Sequence, residues 1–131
     1  MSRPPHFLAA LLTPAGTAGR RVVHERAGVT VAGNIELAHD SRTRTRGLLG
    51  RDGLADDSVM IIAPCNAIHT LFMRFTIDVV FVDRQGKVRT LHRRLRPWRM
   101  AISLRSFAVL ELPAGSIERF GIRSGDLLTI Y

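Results

Sequence analysis

Apolar positions along this chain come in short blocks and alternations of strand length, interrupted by glycine, proline and aspartate. Residues 20–25 and 29–31 flank Ala27-Gly28 as a hairpin pattern, and residues 34–38 continue in β fashion. Asp40 and Ser41 are helix N-cap types ahead of residues 42–51, which predicts a short helix anchored by Leu48 and Leu49 and closed by Gly50. The unbroken apolar run 59–63 predicts a strand covered on both faces. Residues 77–83 lead through Arg84-Gln85-Gly86 into residues 87–92, a hairpin whose turn needs glycine. Val88 and Leu91 break strict alternation, so a bulge or twist is expected in the second arm. Residues 108–112 predict another strand, residues 116–120 one or two helical turns stopped by Gly121, and residues 127–131 a final strand.

Many short strands with one or two short helices predict a mainly β, β-rich α+β fold. The expected form is a small, mostly antiparallel sheet, closed or nearly closed like a barrel. A length of 131 residues fits one domain, with 46% hydrophobic and 23% charged residues excluding a disordered chain. Residues 1–19 hold Pro4, Pro5, Pro14, Gly16 and Gly19 without periodicity and read as a flexible or merely pinned arm, leaving 20–131 as the domain. Arg3 ahead of the apolar run 7–12 resembles the start of a secretion signal, but the run ends at Thr13-Pro14. That favours a cytoplasmic protein without a membrane span. One cysteine, Cys65, means that no internal disulfide stabilises the fold.

Charge changes the picture next. The chain carries 19 Lys+Arg against 11 Asp+Glu, formally +8, and Lys87 is the one basic residue that is not arginine. Arginine preference follows from a GC-rich genome as readily as from anion capture, so the balance only points generally toward anionic partners. The eight basic residues from Arg84 to Arg105 are interrupted by no acidic one, and Trp98 lies among them. Arg93, Arg94, Arg96 and Arg99 with Trp98 therefore suit a polyanion or single-stranded nucleic acid, against the plainer reading of a solvated arm with Trp98 folded onto the core. Neither a nucleic-acid-binding motif nor a phosphate loop is present.

Candidate chemistry rests on a few residues. Asp78 interrupts a core-like strand and needs hydrogen bonds or a cation, for which Arg46 and Arg74 are candidates. Glu111 alternates with Leu110 and Leu112, so it is expected to face solvent or a basic residue; it forms a carboxylate pair with Asp78 only if both face one cavity. Cys65 and His69 are four residues apart, which permits half of a metal site or a Cys-His nucleophile oriented by Asp78; a small buried thiol beside a hydrogen-bonded histidine is the plainer account. No metal and no cofactor is assigned.

Three segments carry a resemblance. They are Arg46-Gly47-Leu48-Leu49-Gly50-Arg51, then Phe72-Met73-Arg74-Phe75-Thr76-Ile77-Asp78 running into the strand to Asp83, and Val109-Leu110-Glu111-Leu112-Pro113-Ala114-Gly115 with Gly121-Ile122-Arg123-Ser124-Gly125-Asp126. In this order and spacing they resemble the uncharacterised family called domain of unknown function 192. Phe72 stands where that family has tryptophan, and Arg74-Phe75 where it has lysine-asparagine. The resemblance implies a small β-rich fold and no established activity, and exported relatives leave the compartment open. The residues favour a non-enzymatic domain binding a small ligand or a protein near Arg46, Arg74, Asp78 and Glu111. The alternatives are a basic surface for nucleic acid or another polyanion, and a Cys65/His69 enzyme or metal site.

Overall fold

The central feature is a five-stranded sheet in the order β3-β4-β9-β6-β7. It is made of β3 (Asn34–Ala38), β4 (Ser58–Ile62), β9 (Ala108–Pro113), β6 (Ile77–Val82) and β7 (Val88–Leu95). β3 and β4 run parallel, and the remaining pairs are antiparallel. The computed structural model describes residues 5–131, so Arg3 and the start of the expected arm lie outside the described residues. β1 (Val22–His24), β2 (Val29–Ala32) and β10 (Leu128–Ile130) form a second sheet, and β5 (Ala67–His69) pairs with β8 (Met100–Ile102) as a third.

Apolar runs explain why the large sheet is central. Every residue of β6 is buried, as are all but the last of β9 and all but the first of β4. The two-residue period then divides these side chains between two cores. Val59, Ile61, Val80, Val82, Leu110 and Leu112 face a core completed by the second sheet and by Ile117 of α2 (Ser116–Phe120). Met60, Ile62, Val79, Phe81 and Val109 face another, completed by Leu48, Met73 and Ala101. Each large apolar side chain so buried contributes roughly 1.5–3 kcal/mol.

The expected barrel does not close. A single bridge, Lys87–Leu127, joins the region before β7 to that before β10. On the other side β2 and β3 follow one another through Gly33 without pairing. There the Gly33 and Asn34 amides donate to the Asp57 carbonyl at 3.1 and 3.0 Å, anchoring the point where the chain passes from one sheet to the other.

Two further expectations shift. The helix α1 spans only Ser41–Arg46, capped by Asp40, whose carboxylate accepts from the Thr43 amide at 2.8 Å. It ends at Gly47, with φ 44° and ψ −124°, rather than at Gly50. The segment expected to be a flexible arm supplies Phe7, Leu8 and Leu11 to the first core, through a 3-10 turn at Ala9–Leu11. Gly86 explains its seat: a Cβ there would overlap the Leu128 carbonyl and the Phe7 ring, so the hairpin turn is packed from both sides.

Asp78 ties the sheet to its surroundings. Fully buried, its carboxyl accepts from the Arg94 amide at 2.9 Å and the Ile117 amide at 2.8 Å. The first bond holds the irregular end of β7, where Arg94 has φ 49°, and the second fixes the start of α2. Replacement Asp78→Ala strands two amide donors, so it is expected to lower unfolding free energy by about 2–4 kcal/mol in urea denaturation. A loss below about 1 kcal/mol would show that the two bonds are dispensable.

Candidate functional site

A cleft of about 540 Å³ opens beside the second core, between α1 with the turn after it and the segment entering β5. Arg44, Arg46 and Gly47 form one side, Cys65, Ala67 and His69 the other, and Ile62, Met73 and Glu111 line its inner part. Local sequence produces this opening. The capping at Asp40 starts α1, Thr45 returns its hydroxyl to the Ser41 carbonyl at 2.8 Å, and Gly47 ends the helix where the chain passes Glu111. The position a Cβ would occupy on Gly47 lies 3.7 Å from Glu111 Oε1, an ordinary contact, so it is the positive φ of 44° rather than crowding that favours glycine there.

Glu111 departs most from the sequence reading. It neither reaches solvent at large nor pairs with a cation: it is 4% exposed on β9, flanked in register by Met60 and Val79, and no hydrogen bond to its carboxyl occurs among the described residues. Burial alone pushes its pKa up to about 7, because no protein group stabilises the charged form. Near neutral pH such a carboxyl exchanges a proton readily, donating a hydrogen bond when neutral and accepting when charged.

Asp78 cannot pair with it. β6 and β9 are neighbours, as a carboxylate pair would need, but Asp78 stands opposite Leu112 whereas Glu111 stands opposite Val79. The pleat therefore sends the two carboxyls to opposite faces of the sheet. Asp78 is satisfied by amides rather than by Arg46 or Arg74. Arg74 is exposed and donates to Asp52 at 3.0 Å, outside the cleft. Of the four residues expected around a ligand, Arg46 and Glu111 come together and the other two do not.

Cys65 and His69 do share the cleft with Glu111. The Cys65 thiol donates to the Ala67 carbonyl at 3.1 Å, and burial foremost, with the Glu111 charge secondary, pushes its pKa up against the opposing pull of the Ala67 backbone and of Arg44. A thiol so placed is not activated as a nucleophile. His69 Nδ1 accepts from the Leu71 amide at 3.3 Å, and Asp78 lies on the far side of the sheet, so it cannot orient the imidazole. No group of three or more histidine, cysteine, aspartate or glutamate side chains converges as a metal site among the described residues.

The basic stretch lies elsewhere. Arg93, Arg94, Arg96 and Arg99 line a separate open groove at the end of β7, and Arg94 reaches across to Glu118. Trp98 is not folded onto the core but 56% exposed. Sequence reading missed Arg44, which donates to the Pro64 carbonyl at 3.2 Å and so props the cleft's edge; its place in the 42–51 arginine cluster was the available signal.

The raised Glu111 pKa sets a pH dependence. Between the ordinary glutamate value of 4.5 and about 7 the folded protein holds a proton that the unfolded chain has released. Stability therefore falls with rising pH across that window. Glu111→Gln removes the dependence, so the variant should gain roughly 3 kcal/mol on the native protein between pH 4 and pH 8 in parallel denaturation curves. Parallel curves for the two proteins would place the carboxyl in water.

Comparison with known proteins agrees with the fold. Over 111 residues, 80% of this chain and 71% of the relative, it is 28% identical to a UPF0127 protein of Thermococcus sibiricus. Crystal structures of a Sinorhizobium meliloti protein provisionally described as a transcription regulator and of a Novosphingobium aromaticivorans protein of unknown function both superpose with TM-score 0.72. The first is 28% identical, covering 83% of this chain and 89% of that one; the second is 25% identical, covering 83% and 81%. A family model described as an uncharacterised ACR, domain of unknown function 192, matches residues 22–130. With the sheet and its cleft inside those limits, the chain belongs to the domain of unknown function 192 family.

Proposed function

We propose that this domain is a non-enzymatic module that binds a small molecule in the Glu111 cleft. The observation that carries the reading is a buried carboxyl without a protein hydrogen bond at the inner end of an open cleft. The Glu111 oxygens border the cleft rather than being sealed off, unlike His92 Nε2, the one enclosed side-chain atom without a partner among the described residues, so their partner enters through the cleft. Arg44 and Arg46 place cationic groups at the edge, and Ile62, Leu48 and Met73 give apolar contact between. A fitting ligand has an anionic end for the arginines, a short apolar middle and a polar end that exchanges hydrogen bonds with Glu111. Catalysis by Cys65 gains no support, because burial holds its thiol in the unreactive form.

Amide chemical shifts of the labelled protein, titrated with glutamine, glycylglycine and γ-aminobutyrate as probes, test this reading. At least one probe should give saturable shifts at Gly47, Ala67 and Glu111 while sparing Val80 and Leu112 on the opposite face. Arg46→Ala should weaken that binding on the order of tenfold, as expected for a lost charge-assisted bond. Shifts scattered over the surface, or none at millimolar probe, would reject a ligand cleft of this chemistry.

A further inference from the structure

The two-stranded β5–β8 ribbon and the loops at its two ends carry an apolar stripe that neither core absorbs. Phe72 is 70% exposed, Trp98 56%, Met100 68%, Ile102 54% and Leu104 79%. Met100 and Ile102 alternate with buried Ala101, so both stand on the outer face of the ribbon. Phe72 and Trp98 meet edge to face with ring centroids 4.6 Å apart. Scattered exposed apolar residues are ordinary, but several along one ribbon and its loops mark a contact surface.

The exposure is enforced. Phe72 and Trp98 both adopt positive φ, 64° and 65°, a conformation costly for bulky side chains. Thr70 holds both turns. Fully buried, it gives its hydroxyl to the Arg96 carbonyl at 2.6 Å and accepts from the Arg99 amide at 2.9 Å, while its carbonyl accepts from the Trp98 amide at 3.0 Å and the Met73 amide at 3.1 Å. A strained backbone stitched this thoroughly presents two rings to solvent.

Charge identifies the occupant. Exposed Arg96 and Arg99 flank Trp98, and with Arg93 they line the neighbouring groove; none of the three enters an ion pair among the described residues. No acidic residue occurs from Arg84 to Arg105. We propose that this stripe docks on an anionic lipid surface, with Trp98 and Phe72 at headgroup level, Met100, Ile102 and Leu104 against the acyl boundary, and Arg93, Arg96 and Arg99 on lipid phosphates. The amphipathic indole of Trp98 favours that depth and holds Phe72 against itself, and the arginines beside it add attraction to acidic headgroups. Single-stranded nucleic acid would use the rings and arginines but leaves three aliphatic side chains unexplained, because bases stack on aromatic faces. Peripheral docking requires no spanning segment, and no helix among the described residues is long and apolar enough to cross a membrane.

Trp98 is the sole tryptophan and reports on its own surroundings. With vesicles of phosphatidylcholine plus phosphatidylserine, its emission should shift to the blue and the full chain should float with the lipid. Phosphatidylcholine alone should give neither, and raised salt should weaken both. Leu104→Glu with Ile102→Glu should abolish flotation. Arg96→Glu with Arg99→Glu should weaken it roughly tenfold or more. Circular dichroism separates a lost surface from a lost fold, and if the double glutamate variant unfolds, Leu104→Ser with Ile102→Ser replaces it. No blue shift with acidic vesicles, equal binding to neutral ones, or a response confined to oligothymidylate would each overturn lipid docking, the last in favour of nucleic acid.

Discussion

β6 and β9 lie side by side inside the five-stranded sheet with apolar layers on both faces, so each polar side chain they carry has to be satisfied locally or left in want. Asp78 and Glu111 are the two carboxyls on these strands, and the pleat sends them in opposite directions. Asp78 meets two backbone amides and becomes a tie between β6, β7 and α2. Glu111 meets methionine, valine and the end of a short helix, and the space before it is the cleft. A one-residue slip of β9 against β6 would turn Glu111 out of the cleft to the face that Asp78 occupies, so fold and site depend on the same register.

Much of the fold is legible in the residues. The hairpin across Asp83-Arg84-Gln85-Gly86 announces itself because its turn chemistry and flanking apolar runs agree, and β4 because its run is too apolar for an exposed strand. The bulge expected in the second hairpin arm corresponds to register shifts between β6 and β7. Closure was not legible, because β2 and β3 are joined by Gly33 alone and the chain passes there from one sheet to the other, a change of sheet set by tertiary packing. Nor was the role of residues 7–11: their apolar block reads the same whether loose or packed, and the receptive surface is assembled by Gly86 and β10.

The site was half legible. Cys65, His69, Arg46 and Glu111 do line one cleft, but an alternating carboxylate in a strand gives no sign of which face it takes or whether that face is wet. Arg74 and Asp78 looked equivalent to them in sequence and are separated by the thickness of the sheet or by a surface ion pair. Trp98 shows a related limit. An aromatic within a basic run reads either as folded onto the core or as exposed among the arginines, and here a backbone held in the left-handed region by Thr70 turns it out.

The molecule thus separates a cleft carboxyl from an apolar and basic surface on the β5–β8 ribbon, and the first of these carries its functional reading. The most direct test is the side-chain carboxyl carbon of Glu111, followed by NMR as pH is raised in the free protein. A midpoint near 7, well above the ordinary glutamate value of 4.5, is the result expected of a buried carboxyl with no protein partner. A midpoint in the ordinary range would mean that water or an unrecognised donor already satisfies Glu111, and would contradict the account of the cleft.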